Sequence, residues 1–277
     1  MIEAVKYLAV IAAGYAFGRA VRRRPPAFLF TALVVALVFF VAAEAADVVW
    51  RNVGAFVLIA ASYALALVLS AAVLGTVFDK EKSFQKPGRP TISAFAAASM
   101  ATGLAAGGLY RADYAVFIDP LLYALLFAAG TDMAGVGVRL ELSALAAPAV
   151  ALASAALVAP VFALAFGISP AVAFGLGWYS FTGPYLAKAG DAAGGAYGLL
   201  VNFLREQFTY LLAPIMARRF GKVGVLAMGG ATTMDNTLPL YTALYGSAFS
   251  IYAFANGVIL TVLVPVVVPA VHQFYST

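Results

Sequence analysis

GAYGLLVNFLREQFTYLLAPIMA, residues 195–217, decides how the chain is read. The run is apolar and long enough to cross a bilayer, yet it carries Glu206 near its centre. At a helical rise of about 1.5 Å per residue the carboxylate is roughly 16 Å from either end, the mid-plane of a membrane. A charge at that depth costs about 2.5–3.5 kcal/mol on insertion scales, so it faces protein or water and serves a purpose. Asn202, Glu206 and Tyr210 recur at four-residue intervals with Thr209 beside them, giving this span one polar stripe. Arg205 projects about 100° away from Glu206 and is expected to pair with an acid on another segment or with a substrate carboxylate. A structural interhelical contact is the alternative role for Glu206.

The surrounding composition agrees with a membrane setting. Of 277 residues, 64% are hydrophobic and 10% charged, and mean hydropathy is +0.96, far from soluble domains. These values predict an all-α polytopic membrane protein, because continuous apolar runs without two-residue alternation exclude a β-barrel. Spanning-length runs recur at residues 2–18, 27–46, 54–78, 91–110, 114–138, 143–167, 171–187, 195–217, 223–240 and 247–271. The first is followed by Arg19, Arg22, Arg23 and Arg24, the reverse of a signal peptide, so it reads as a retained span with the N-terminus outside.

Charge placement then tests the count. Strict alternation of ten spans puts Arg218, Arg219 and Lys222 outside, against the positive-inside rule. If residues 171–187 return to the side they came from, twelve of the seventeen Lys and Arg become cytoplasmic. Gly175, Gly177, Gly183 and Pro184 interrupt that segment, and Gly229, Gly230 and Pro239 interrupt 223–240. The expectation is about eight transmembrane helices plus two re-entrant or broken segments, with both termini outside. Ten spans with some discontinuous helices is the alternative. An inverted repeat of the kind transporters conceal is compatible with this pattern. Residues 1–90 are read as a scaffold or oligomerisation unit and 91–277 as a transport core, with a homodimer one arrangement open to it.

Asp235, in MGGATTMDNTLP (228–239), is the second intramembrane acid. Thr232, Thr233 and Asn236 flank it where paired glycines allow the helix to unwind and expose carbonyls and half-helix ends, the groups transporters use for ions and zwitterions. Asp235 could instead cap a helix starting near Thr237. Asp132 could join the same site or act as a near-interface cap beside Arg139. Trp178, Tyr179 and Ser180 line a pathway or belong to an interfacial belt.

Two carboxylates in one low-dielectric cavity titrate as a pair, so a cationic substrate competes with their protons, the basis of proton antiport. With no cysteine and a single histidine, His272, thiolate, haem and multi-histidine metal chemistry are excluded. No cofactor, nucleic acid or enzymatic activity is expected. The competing classes are an intramembrane aspartyl protease, which the missing GxGD motif opposes, and a passive channel.

GWYSFTGP (177–184), FLREQFTYLLAPIMARR (203–219) and GGATTMDNTLP (229–239), in this order, resemble the LysO-type (YbjE) family of L-lysine exporters. The likeness extends over roughly residues 90–277. It implies export of L-lysine and toxic analogues such as thialysine across the cytoplasmic membrane, and both termini outside. It also implies a solvent-accessible pair of intramembrane acids, which fall on Glu206 and Asp235. Asn236 and Phe181 depart from the family pattern, leaving arginine, ornithine or another small cation open as substrate.

Overall fold

The computed structural model describes residues 2–22, 26–51, 53–78, 92–134, 146–234, 236–245 and 249–276. The chain is an all-α polytopic membrane protein, with no strand among these residues. The helices are α1 (Ile2–Val21), α2 (Ala27–Glu44), α3 (Ala46–Trp50), α4 (Val53–Leu74), α5 (Ile92–Leu109), α6 (Ala115–Met133) and α7 (Ala146–Phe166), then α8 (Tyr179–Lys188), α9 (Ala192–Met216), α10 (Lys222–Gly229), α11 (Leu238–Tyr245) and α12 (Ser250–Ser276). Three stretches are long and apolar enough to cross a membrane by length and composition alone: Val53–Val77, Ala146–Phe166 and Ser250–Tyr275. Ala32–Glu44 and Ala115–Ala128 are shorter apolar helical stretches. The outer surface is apolar as lipid requires: Leu58, Val161 and Leu164 are exposed, a pattern that would be costly in water.

Small residues let the long helices approach backbone to backbone. On α1, a side chain at Gly14 would collide with the Phe127 carbonyl of α6, and on α6 one at Gly130 would collide with that of Ile11. Close packing of this kind is the main attraction between helices in lipid, where the hydrophobic effect is absent. The Thr131 hydroxyl, 3.1 Å from the Gly14 carbonyl, ties the same pair. Tyr63 of α4 stacks on Phe162 of α7 with ring centroids 4.0 Å apart. Tyr7 of α1 packs edge-on against Phe181 of α8 at 5.3 Å, so the first helix reaches the second half of the chain.

Two segments are broken. The first runs as a 3-10 turn, Pro170–Gly175, a non-helical stretch at 176–178, and α8. The second runs as α10, a 3-10 turn Gly230–Met234, and α11. The breaks differ in detail from the sequence expectation. Gly183 and Pro184 lie inside continuous α8, and the chain turns instead at Leu176 (φ 51°) and Gly177 (φ 94°). Gly183 is there for proximity, since a Cβ would stand 3.1 Å from the Gly195 carbonyl of α9. Gly229–Gly230 breaks the second segment as expected. Pro239 occupies the first turn of α11, where a missing amide proton costs nothing. The basic cluster 80–89 and Arg139 lie outside the described residues, as do Arg23 and Arg24.

Candidate functional site

The site is built on one face of α9, a continuous 25-residue helix. Asn202, Arg205, Glu206 and Thr209 on it are all fully buried. Their three- and four-residue spacing stacks them along one side.

Asn202 holds the first break. Its Oδ1 accepts from the Gly177 amide at 2.7 Å, and its Nδ2 donates to the carbonyls of Val172 and Gly198, each at 2.9 Å. Both amide protons are therefore committed to backbone. Leu176, a non-glycine residue in the left-handed region, carries strain of about 1–2 kcal/mol that these bonds offset.

Arg205 holds the second break. Its Nε donates to the Met228 carbonyl at 3.0 Å and one terminal nitrogen to that of Ala227 at 2.9 Å. Helix-end carbonyls stand where an acid, one of the two expected partners, would: among the described residues Arg205 makes no ion pair. The substitution is physically reasonable, because the C-terminus of α10 presents unsatisfied carbonyls and a partial negative charge. The Tyr241 hydroxyl donates to the Val225 carbonyl at 2.8 Å and accepts from the Gly229 amide at 3.1 Å. Thr232 and Thr233 return their hydroxyls to the carbonyls of Gly229 and Gly230. Asn256 of α12 donates to the Gly230 carbonyl and to the Thr233 hydroxyl, both at 2.9 Å.

The two breaks meet. The Ala231 amide donates to the Leu176 carbonyl at 2.8 Å, and Gly230 has φ 60° and ψ −134°, a conformation essentially confined to glycine. Beside this crossing lies a cleft with about 440 Å³ of free space, its open mouth included. Gly177, Trp178, Tyr179 and Ser180 line one side, and Ala231, Thr232, Met234 and Asn236 the other, with Val34 and Thr261 completing the wall. Glu206 meets this lining through Asn236, whose Nδ2 donates to Glu206 Oε2 at 2.9 Å. Gln207 donates to Oε1 at 3.3 Å, and the Tyr210 hydroxyl donates to the Asn236 carbonyl.

Sequence reasoning thus named residues that come together: Glu206, Asn236 and Tyr210 in one hydrogen-bonded group, and Trp178, Tyr179, Ser180 and Thr232 around the cleft. Thr233 lies behind it with Asn256. Asp235 lies outside the described residues, although its chain neighbours Met234 and Asn236 both line the cleft. The side chain of Asp132 also lies outside them. Among the described residues no three His, Cys, Asp or Glu side chains gather as a metal site would require. Asn256, Tyr241 and Thr182, whose hydroxyl donates to the Trp178 carbonyl at 2.8 Å, were not singled out from sequence. Asn256 was findable by the depth argument applied to Glu206, since it interrupts the apolar run 247–271. Tyr241 gave no signal, tyrosine being ordinary near interfaces.

The family model described as lysine exporter LysO matches residues 96–272, well over half the chain. A lysine exporter LysO of Escherichia coli strain K12 is 34% identical over 98 residues, 35% of this chain and 32% of that protein. The similarity therefore spans about a third of the curated relative. No solved structure matches.

Proposed function

The chain belongs to the lysine exporter LysO family, and on that premise we propose that it exports L-lysine or a related cationic amino acid, such as arginine or ornithine, in exchange for protons. Glu206 and Asp235 are the carboxylates at which substrate cation and proton compete. The observation that carries this reading is Glu206 itself: fully buried on the continuous helix α9 and hydrogen-bonded to a residue of the cleft between two crossed breaks. A buried carboxylate is expensive to keep ionised, and a cation or a proton is a partner that a transporter can exchange there. Asn236 orients the carboxylate, and Trp178, Tyr179 and Ser180 form the facing wall.

We place the protein in the cytoplasmic membrane with both termini outside and the 171–187 segment returning to the side it came from. Residues 1–90 act as scaffold and 91–277 as transport core, alone or as a homodimer. The test is lysine flux in proteoliposomes under an imposed pH gradient. Glu206→Gln and Asp235→Asn should each abolish gradient-driven flux with folded protein retained. Undiminished flux in both variants refutes the carboxylate assignment, and unsaturable flux indifferent to the gradient refutes antiport.

A further inference from the structure

Two buried side chains retain an unused polar atom at the crossing of the breaks. Arg205 spends Nε and one terminal nitrogen on the α10 carbonyls, but its Nη1 has no hydrogen-bond partner among the described residues. Asn256 spends Nδ2 on Gly230 and Thr233, and its Oδ1 likewise has none. Both residues are fully buried, and buried polar atoms without partners are rare enough to require a reason. One glycine lies against both. The Arg205 Cζ is 3.6 Å from where a Cβ on Gly230 would stand, and the Asn256 Nδ2 is 2.9 Å from the Gly230 carbonyl.

We propose that Arg205 and Asn256 form a subsite, on either side of Gly230, for the α-carboxylate and α-ammonium groups of the transported amino acid. This rests on the export reading above. The free donor of Arg205 suits a carboxylate, and the substrate carboxylate supplies Arg205 with the counter-ion that no acid of the described residues provides. The free carbonyl oxygen of Asn256 accepts from an ammonium without cancelling the arginine, as an aspartate there would. Glu206, on the next position of α9, is left for the side-chain cation. The groups lie immediately behind the cleft: Ala231 and Thr232, which follow Gly230, form its wall, as does Thr261 on the helix that carries Asn256. Movement of α12, which carries Thr261, away from Ala231 and Thr232 brings substrate to them with the crossing intact, and its return seals them as found here.

The consequence is selectivity for the α-amino acid. A site built to hydrogen-bond a group rejects an analogue lacking it far more strongly than a merely apolar pocket does. The experiment measures uptake of labelled lysine by wild-type proteoliposomes against unlabelled lysine, 1,5-diaminopentane, which lacks the α-carboxylate, and 6-aminohexanoate, which lacks the α-ammonium, with uptake of labelled diaminopentane followed alongside. Lysine should compete at least about tenfold more strongly than either analogue. Arg205→Lys should narrow the preference over diaminopentane, and Asn256→Ala the preference over 6-aminohexanoate, each to about threefold or less in protein purified as monodisperse. Equal competition by all three compounds in the wild type overturns the subsite and leaves the export reading standing. Variants that weaken lysine and the matching analogue in the same proportion overturn it too, since a structural prop or a bridging water would give that result. Wild-type vesicles that take up none of the compounds overturn the export reading and the subsite with it.

Discussion

Replacing Asn202 by alanine removes the clamp on the first break. One backbone group then loses its partner, the Gly177 amide, 2.7 Å from Oδ1. The Val172 carbonyl, 2.9 Å from Nδ2, keeps its bond within the 3-10 turn Pro170–Gly175, and the Gly198 carbonyl keeps the ordinary helical bond one turn along. An unsatisfied buried group costs about 1–3 kcal/mol, a sizeable share of a typical folding margin of about 5–15 kcal/mol. Alanine leaves room for water and falls at the lower end; Asn202→Leu fills the space without a polar atom and falls at the upper end. The direct assay is hydrogen exchange at the Gly177 amide, which should accelerate about 5- to 150-fold in Asn202→Ala. Denaturation in detergent should show the matching loss of stability. Exchange at Gly177 within about twofold of wild type, with an unchanged unfolding midpoint, would refute the clamp, since every step above depends on that bond.

Gly230→Ala places a Cβ 1.9 Å from the Leu176 carbonyl in a backbone conformation alanine avoids. It should cost about 2–4 kcal/mol or prevent accumulation of folded protein, which thermal stability in detergent checks. Tyr241→Phe removes the hydroxyl's bonds to the Gly229 amide and the Val225 carbonyl and should cost about 0.5–1.5 kcal/mol, visible in the same unfolding measurement, while leaving Glu206 and Asn236 in contact. The chain contains no cysteine, so single introduced thiols report topology without background. In intact cells an impermeant maleimide should label a cysteine at Gln273 and spare one at Arg218, both exposed positions; the opposite pattern refutes the proposed orientation.

What was legible in the sequence follows from which forces are local. Segment ends came out closely, with 195–217 expected and Ala192–Met216 found, because bilayer thickness and apolar runs fix them. The break at Gly229–Gly230 was legible because a paired glycine weakens a helix on its own account. The first break was placed in the right segment, but Gly183 and Pro184 were given part of its cause. Leu176 instead takes a left-handed conformation because Asn202 and Ala231, distant in sequence, hold the turn around it. Nothing near Leu176 announces that. The carbonyls that hold Arg205 were not legible for a related reason: sequence displays acids that could pair with a guanidinium, whereas carbonyls at the end of α10 appear only once that helix is broken and turned toward α9. Asp235 was singled out on the same terms as Glu206, and it lies outside the described residues.

The arrangement constrains how the site can change state. Asn202 bonds the first break, Arg205 bonds the helix before the second, and Ala231 bonds the two breaks to each other. Each bond contributes about 0.5–1.5 kcal/mol net and far more if its groups stay buried and unpaired. Pulling α9 away from either break gives up several at once, whereas moving α9 and both breaks as one body gives up none of them. The contacts available to slide or part are then those between this body and its surroundings, such as Tyr7 against Phe181. There a ring edge meets a ring face without a hydrogen bond, and a shift of a few ångströms trades one apolar contact for another. Access to Glu206 from alternate sides is cheapest if the crossing stays intact and the helices around it move.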